Sequence, residues 1–275
     1  MALPDPPSSI RVAAVQMSSG QNIDFNLKMA AELIQEGAKL GAQWVALPEM
    51  FAYIRQEGEP FPCAQTLTDE IVEFIKERAR LHQIWILGGS FPEFAEDSRV
   101  YNTSFLVDPT GVLAGVYRKM HLFDVDLKPQ GGISYKESKS IAPGKSPSCV
   151  STPFGKIGLS VCYDLRFPEL YRNYMAEGAR FLAVPSAFAP ETGRAHWEIL
   201  LRGRAIENQC FVIAPAQSGA HSPTRSSYGH TLLIDPWGSV LAKATRQEEV
   251  IVADLNLQAQ TQIRESLPCL KNRRL

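Results

Sequence analysis

Apolar positions fall in short blocks separated by polar, periodic stretches. Residues 10–17 (IRVAAVQM) are apolar almost without a break, the pattern of a strand covered on both faces. Over 24–40, Leu27, Ala30, Ala31, Ile34 and Ala38 recur at helical spacing, and Gly41 stands where a helix C-terminal cap belongs. Residues 44–47 (WVAL) predict a second strand, which ends in Pro48-Glu49. Thr66-x-x-Asp69 resembles a capping box with Asp in place of the preferred Glu. The helix it opens turns Ile71, Phe74, Ile75 and Ala79 inward, and residues 84–87 (IWIL) form the next strand. Residues 101–107 and 112–117 flank Asp108-Pro109-Thr110-Gly111, which predicts a hairpin. Residues 124–148 show little periodicity and several Gly, Pro and Ser; a loop of that length in a compact domain points to function.

The second half repeats the plan. Residues 156–161 (KIGLSV) are a strand running into Cys162, and a helix over 169–177 is closed by Gly178. A strand at 181–184, a helix at 196–208 and a strand at 210–214 follow. A second hairpin spans 231–241 and turns on Asp235-Pro236-Trp237-Gly238; the last strand is 250–255. Both hairpins carry Asp-Pro-x-Gly, and strand–helix–strand segments precede both. Alternating strands and helices imply an α/β layered fold, and the hairpins make its sheets mixed. Two similar halves, each a sheet covered by helices, predict a four-layer α-β-β-α sandwich with two mixed β-sheets and internal pseudo-symmetry. Residues 1–9, rich in Pro and Ser, read as a loose arm. Residues 10–275 read as a single domain, since no linker separates the halves.

Composition narrows the function. The 275 residues hold 28 Lys and Arg against 29 Asp and Glu, a net charge of −1 that argues against a nucleic-acid partner. With 45% hydrophobic and 21% charged residues the chain is no disordered tail. The cysteines at 63, 149, 162, 210 and 269 are scattered, without a C-x-x-C pair, so a disulfide framework is not expected. No apolar run has the length of a membrane span, and the first residues lack the basic start and apolar stretch of a secretory signal. A cytoplasmic protein with no membrane partner is expected.

Three polar residues sit just past apolar strand runs: Glu49, Lys119 and Cys162. Carboxyl ends of strands are where α/β folds place ligands and catalytic groups. Singly, each has a plain reading: a strand-end carboxylate facing water, a surface ammonium at a hairpin end, a small core thiol. Together they form a base, a cation and a nucleophile. A free Cys and a free Glu differ by roughly 4 pKa units, so proton transfer between them is uphill by about 6 kcal/mol. Burial is expected to raise the Glu49 pKa and Lys119 to stabilise the thiolate, each closing part of that gap.

The words around these residues carry a resemblance. Leu47-Pro48-Glu49-Met50, Tyr117-Arg118-Lys119-Met120-His121-Leu122-Phe123 and Val161-Cys162-Tyr163-Asp164-Leu165-Arg166-Phe167-Pro168-Glu169 resemble, in order and spacing, the three signature motifs of the nitrilase superfamily of carbon–nitrogen hydrolases. The resemblance runs from Arg11 to about Arg274. It implies the α-β-β-α sandwich, a Glu-Lys-Cys triad, no metal or organic cofactor, and homodimers or larger homo-oligomers. It casts Glu49 as general base, Lys119 as the oxyanion-stabilising cation, Cys162 as nucleophile and Glu137 as a second glutamate supporting Lys119. The Tyr163 backbone N–H is the other oxyanion donor. The implied course is attack of Cys162 on an amide carbon, loss of ammonia, and hydrolysis of the thioester by water that Glu49 activates.

Pro185-Ser186-Ala187-Phe188, Thr192-Gly193, His196-Trp197-Glu198, Gln217-x-Gly219-x-His221 and Ser227-Tyr228-Gly229-His230 resemble a branch that acts on side-chain amides of 2-oxo acids. The substrate this implies is a small anionic amide, first deaminated glutathione. The alternatives are 2-oxoglutaramate, or the substrate of another amidase or carbamoylase of the superfamily. Arg166 is the candidate for a substrate carboxylate by bidentate geometry, with an ion pair to Asp164 or Glu169 as its structural alternative. His196 and Trp197 line the pocket or simply pack. Other classes stay open: a thiol protease pairing Cys162 with one of five histidines, or a scaffold or redox-sensing thiol. A zinc hydrolase is disfavoured, since there is no H-E-x-x-H and no clustered Cys/His spacing. The basic stretch 271–274 reads as a solvated end.

Overall fold

The structure is a computed structural model and describes residues 7–56, 58–131 and 133–274. The chain begins β1 (Ser9–Gln16), α1 (Ile23–Lys39), β2 (Trp44–Ala46), α2 (Glu70–His82), β3 (Trp85–Leu87), β4 (Phe91–Phe94), β5 (Val100–Val107) and β6 (Leu113–Arg118). A small ribbon, β7 (Asp124–Asp126) and β8 (Ser134–Lys136), leads to the second half. That half runs β9 (Ser148–Thr152), β10 (Gly155–Leu159), α3 (Pro168–Ala176), β11 (Ala179–Ala183), α4 (Pro190–Asn208) and β12 (Phe211–Ala214). A ribbon β13 (Ser218–Ser222) and β14 (Arg225–Tyr228) precedes β15 (Leu232–Ile234) and β16 (Val240–Lys243). The chain closes with β17 (Glu249–Asn256) and α5 (Leu257–Ser266).

Two mixed sheets result, ordered β17-β1-β2-β3-β5-β4 with β6 also on β5, and β16-β15-β12-β11-β10-β9. In each, three parallel strands (β1, β2, β3 and β10, β11, β12) meet an antiparallel hairpin at one edge and an antiparallel strand at the other. The repeated Asp-Pro-x-Gly hairpins thus mark a repeated sheet topology.

The sheets pack face to face. Val12, Ala14, Trp44 and Ala46 of the first share one core with Ile157, Leu159, Phe181 and Leu182 of the second. The opposite face of the first sheet, with Ala13, Val15 and Val45, packs on Leu27, Ala30 and Ile34 of α1 and Ile71 and Ile75 of α2. Both faces of β1 are covered from Val12 onward, which is why its sequence is apolar from Val12 to Val15. Trp44 anchors the layer between the sheets, stacked on Phe154 at 5.9 Å and edge-on to Phe181 at 5.8 Å. On the second sheet, α3 and α4 supply Tyr171, Tyr174, Trp197 and Leu201 to the core.

The element boundaries correct several expectations. Residues 1–6 of the expected arm lie outside the described residues. Ser9 already belongs to β1, and the Ser8 carbonyl accepts from the Leu257 N–H. The expected capping box is only half made: the Thr66 N–H donates to Asp69 at 2.7 Å, but the Gln65 side chain, not Thr66, accepts from Ile71 in the first turn of α2. The stretch 124–148 is not featureless. Asp124 accepts from the Ser138 N–H and hydroxyl, and Asp126 from the Ser134 hydroxyl and the Lys128 N–H. These polar bonds fold the β7–β8 ribbon with no apolar period to announce it. Helix α4 starts at Pro190 rather than 196, because Pro at its first turn needs no N–H partner. In that turn Gly193 lies against Tyr228, whose Cβ would stand 2.4 Å from any Cβ added there.

Candidate active site

Each of the three chemistry-bearing residues sits on a turn held by neighbouring backbone. Glu49 follows β2, with the Met50 N–H bonded to Ser90 Oγ at 2.9 Å. Behind it passes Gly89, at φ +47, where an added Cβ would lie 2.0 Å from the Pro48 carbonyl oxygen; only glycine fits. Lys119 follows β6, and its N–H donates to the Asn102 carbonyl at 2.9 Å. Cys162 follows β10 at φ +50, in the left-handed region that a non-glycine residue occupies only under constraint. Its N–H donates to the Pro185 carbonyl at 3.0 Å.

Asp164, fully buried, ties two of these turns together. One oxygen accepts from the Tyr117 hydroxyl and the Val161 N–H, both at 2.8 Å. The other accepts from the His121 N–H at 3.1 Å and contacts His121 Nδ1 at 2.7 Å. One carboxylate therefore sets the backbone on both sides of Lys119 and just before Cys162. Gln217, one of the branch-marking residues, does the same for Glu49: its Nε2 donates to the Glu49 carbonyl at 3.0 Å and to Ser19 Oγ at 2.9 Å.

The three side chains meet in one place, exposed by only 4%, 1% and 8% for Glu49, Lys119 and Cys162. Lys119 Nζ stands 3.3 Å from Glu49 Oε1 and 2.9 Å from both carboxylate oxygens of Glu137. Glu137 Oε2 is fixed in turn by the Phe123 N–H at 2.6 Å. Glu49 also accepts from Asn102 Nδ2 at 2.8 Å and the Ala187 N–H at 2.7 Å, and the Cys162 thiol hydrogen-bonds to it. Tyr163, next after the nucleophile candidate, lies edge-on to Phe123 at 5.1 Å. These residues line a cleft of about 680 Å³, counted out to its open mouth, together with Tyr53, Phe61, Tyr135 and Thr192.

The electrostatics reverse one expectation. Burial pushes the Glu49 carboxyl up, but the Lys119 charge and the bonds from Cys162, Asn102 and Ala187 outweigh it and hold the group below the usual carboxylate range. Burial pushes the Cys162 thiol well up, and the Glu49 charge adds to this; Lys119 opposes both without prevailing. Burial disfavours the Lys119 ammonium, yet Glu137 and Glu49 raise its pKa far above the ordinary value. The resting site therefore holds a neutral thiol donating to an ionised carboxylate beside a permanent cation. The gap between thiol and carboxylate is wider than for the free groups, not narrower.

Three other candidates lie elsewhere. Trp197 is fully buried, lies tilted against Phe188 at 5.0 Å and donates to the His230 carbonyl, so it packs rather than lines the cleft. Arg166 stands behind the cleft wall, over Tyr163 at 5.7 Å and Phe188 at 5.3 Å, with Nη1 3.3 Å from His196 Nδ1. Neither Arg166 nor His196 is among the cleft-lining residues, and Asp164 pairs with Tyr117 and His121 rather than with Arg166. Sequence reasoning missed Asn102, Arg55 and Arg225, which do line it. A polar residue inside an otherwise apolar strand was the available signal for Asn102. For the arginines there was none. Among the described residues no cluster of three or more His, Cys, Asp or Glu is arranged to hold a metal ion, and no helix is long and apolar enough to cross a membrane. All five cysteines are free.

Two layered mixed sheets with a buried carboxylate, ammonium and thiol at their strand ends define a class of hydrolase. The chain belongs to the carbon–nitrogen hydrolase family, whose model matches residues 11–265. It is 43% identical over 265 residues to a deaminated glutathione amidase of Synechocystis sp., covering 95% of this chain and 97% of that one. It is also 43% identical over 269 residues to the human deaminated glutathione amidase, covering 96% of this chain and 82% of that protein. The crystal structure of the C. elegans NitFhit protein superposes with a TM-score of 0.91 at 38% identity, covering 98% of this chain and 66% of that longer one. These likenesses make the protein a hydrolase of carbon–nitrogen bonds other than peptide bonds.

Proposed function

We propose that this protein hydrolyses deaminated glutathione at the amide joining the five-carbon oxo acid to cysteine, through a thioester on Cys162. The observation that carries the reading is the meeting of Glu49, Lys119 and Cys162 at the buried floor of one cleft, in a chain whose relatives are named for that activity. Glu49 takes the thiol proton as Cys162 Sγ attacks the acyl carbon. Because the thiol rests neutral, transfer and attack proceed together rather than through a standing thiolate. The developing oxyanion faces Lys119 Nζ and the Tyr163 N–H. Lys119, charged at every physiological pH, serves as electrostatic partner and not as base. Glu137 positions it. Glu49 returns its proton to the departing amine, then deprotonates the water that cleaves the thioester.

The substrate's chemistry corrects the leaving group. In deaminated glutathione the amide nitrogen belongs to cysteinylglycine, so the dipeptide departs; ammonia departs only from a primary amide such as 2-oxoglutaramate. Both substrates pass through the same acyl-enzyme and yield 2-oxoglutarate, which is the product to measure. The wild-type protein is expected to release it from deaminated glutathione and to carry one oxoglutaryl group on Cys162 when quenched. C162A is expected to fold and to do neither. Turnover by C162A, or no turnover by the wild type, overturns the reading. A preference of about 100-fold for 2-oxoglutaramate, about 2.7 kcal/mol in transition-state binding, would reassign the branch.

We further propose that the two halves work as one domain, that the protein acts in the cytoplasm and that it pairs with a second copy. The shared inter-sheet core supports the first, and the five free thiols support the second. The exposed Ile199 and Ile206 on α4, and the exposed Trp237 on the β15–β16 turn whose Gly238 lies against Ile206, support the third.

A further inference from the structure

We propose that Arg225 is the specificity residue that holds the terminal carboxylate of a peptide-like leaving group; the proposal rests on the amidase reading above. Three cations line the cleft: Lys119, Arg55 and Arg225. Lys119 is committed to Glu49 and Glu137. Arg55 is buried, donates to the Glu59 carbonyl and to Ser140 Oγ, and lies 4.3 Å over the Phe61 ring. Arg225 is different. It is half-buried, one of its nitrogens donates to the Arg55 carbonyl at 3.2 Å, and it forms no ion pair among the described residues. A guanidinium anchored by one arm presents the rest of its donor fork in fixed orientation, the arrangement that binds a carboxylate bidentately.

Its position indicates which carboxylate. Arg55, Phe61 and Tyr135 line both the cleft and an adjoining open groove, where Lys136 and Lys139 also stand. Arg225, bonded to the Arg55 backbone, is therefore at the end where the cleft opens outward. With the acyl carbon at Cys162 on the closed floor, the leaving half must extend toward that opening. The two residues of cysteinylglycine reach about 7 Å when extended, which carries a carboxylate away from Lys119 and toward the mouth. Lys119 could not take it, since its charge is already matched by two carboxylates. Arg166, the sequence candidate for a substrate carboxylate, lies over the Tyr163 and Phe188 rings and is not among the cleft-lining residues.

The test pairs a protein change with a substrate change. Deaminated glutathione and its C-terminal glycinamide analogue differ only in the proposed contact. The wild-type protein is expected to favour the acid over the amide by about 10- to 100-fold in kcat/KM, the worth of one charge-assisted contact. R225Q is expected to discriminate by less than about threefold, and R225K, a point charge without the fork, by an intermediate factor. A structural role for Arg225 would lower both substrates together and leave their ratio intact. Retained discrimination in R225Q, or none in the wild type, overturns the proposal while leaving the amidase reading standing. Absence of wild-type turnover on both compounds overturns both. If R225Q releases no 2-oxoglutarate from 2-oxoglutaramate either while melting like the wild type, Arg225 serves the acyl half and the proposal is overturned; if R225Q is unfolded, the R225K ratio decides the matter.

Discussion

Replacing Glu137 with Gln tests how the buried cation is held. Both carboxylate oxygens stand 2.9 Å from Lys119 Nζ, and Glu137 is the largest influence raising the Lys119 pKa after burial lowers it. At that distance and an effective dielectric of about 20, one charge pair is worth about 6 kcal/mol before desolvation. Glutamine keeps one acceptor and Glu49 remains, so the net loss is about 2–3 kcal/mol, less than the cost of orphaning a buried charge. For a chain of this size that corresponds to a fall in Tm of about 3–6 °C. The pH dependence has a definite sign. Lys119 has a raised pKa in the fold, so its stabilisation is fully present below the unfolded value near 10.4 and is lost as pH rises through the folded one. The loss in E137Q is therefore flat from neutrality to about pH 9.

Catalysis suffers more than stability in the same variant. With an uncharged amide at position 137, the ammonium closes on Glu49, 3.3 Å away, which both occupies the base and draws the cation off the oxyanion position. The expected fall in kcat is about 10²–10³-fold, the usual worth of one oxyanion donor. Thermal unfolding and steady-state release of 2-oxoglutarate measure the two effects. An E137Q protein with unchanged Tm and kcat within about threefold of wild type would show that Glu49 alone suffices to hold Lys119.

Two further substitutions probe Glu49. N102A removes the 2.8 Å bond that helps hold its carboxyl low, so the acid limb of kcat/KM should move to higher pH by up to about one unit. Since a lowered carboxyl pKa stabilises the fold above the unfolded value near 4.3 and ceases to as pH falls through the folded one, N102A should cost stability at pH 7 and less in acid. An unmoved limb in the pH–rate profile would contradict this. G89A places a methyl against the Pro48 carbonyl and an L side chain at φ +47. It should cost at least about 2 kcal/mol by thermal unfolding and lower kcat by shifting Glu49, whereas a wild-type melting curve would mean the turn is looser than its contacts indicate.

The sequence by itself determined the strands that are covered on both faces. The runs around Val12, Trp44, Ile86, Leu159, Leu182 and Ile213 are apolar because nearly all their residues are buried, and such blocks are visible without coordinates. The paired Asp-Pro-x-Gly turns likewise disclosed the repeat, since a turn's backbone needs are local. Glu49, Lys119 and Cys162 were legible as strand-end residues, and their joint chemistry made them a candidate set before any distance was known.

What the tertiary structure alone decided is whatever depends on through-space neighbours. Strand β4 and the ribbons are held by edge pairing and side-chain bonds, which leave no period in the sequence. Arg166 is close to Cys162 along the chain yet points behind a wall of aromatic rings, while Arg225, far along it, is delivered to the cleft by a ribbon. The sign of the Glu49 shift was lost for the same reason. Burial is readable from pattern, but the field of Lys119 and the donors Asn102 and Ala187 arrive from strands and loops distant in sequence, and at a few ångströms they outweigh it. Periodicity encodes how much water a residue meets; only the packed chain sets which charges and dipoles replace that water.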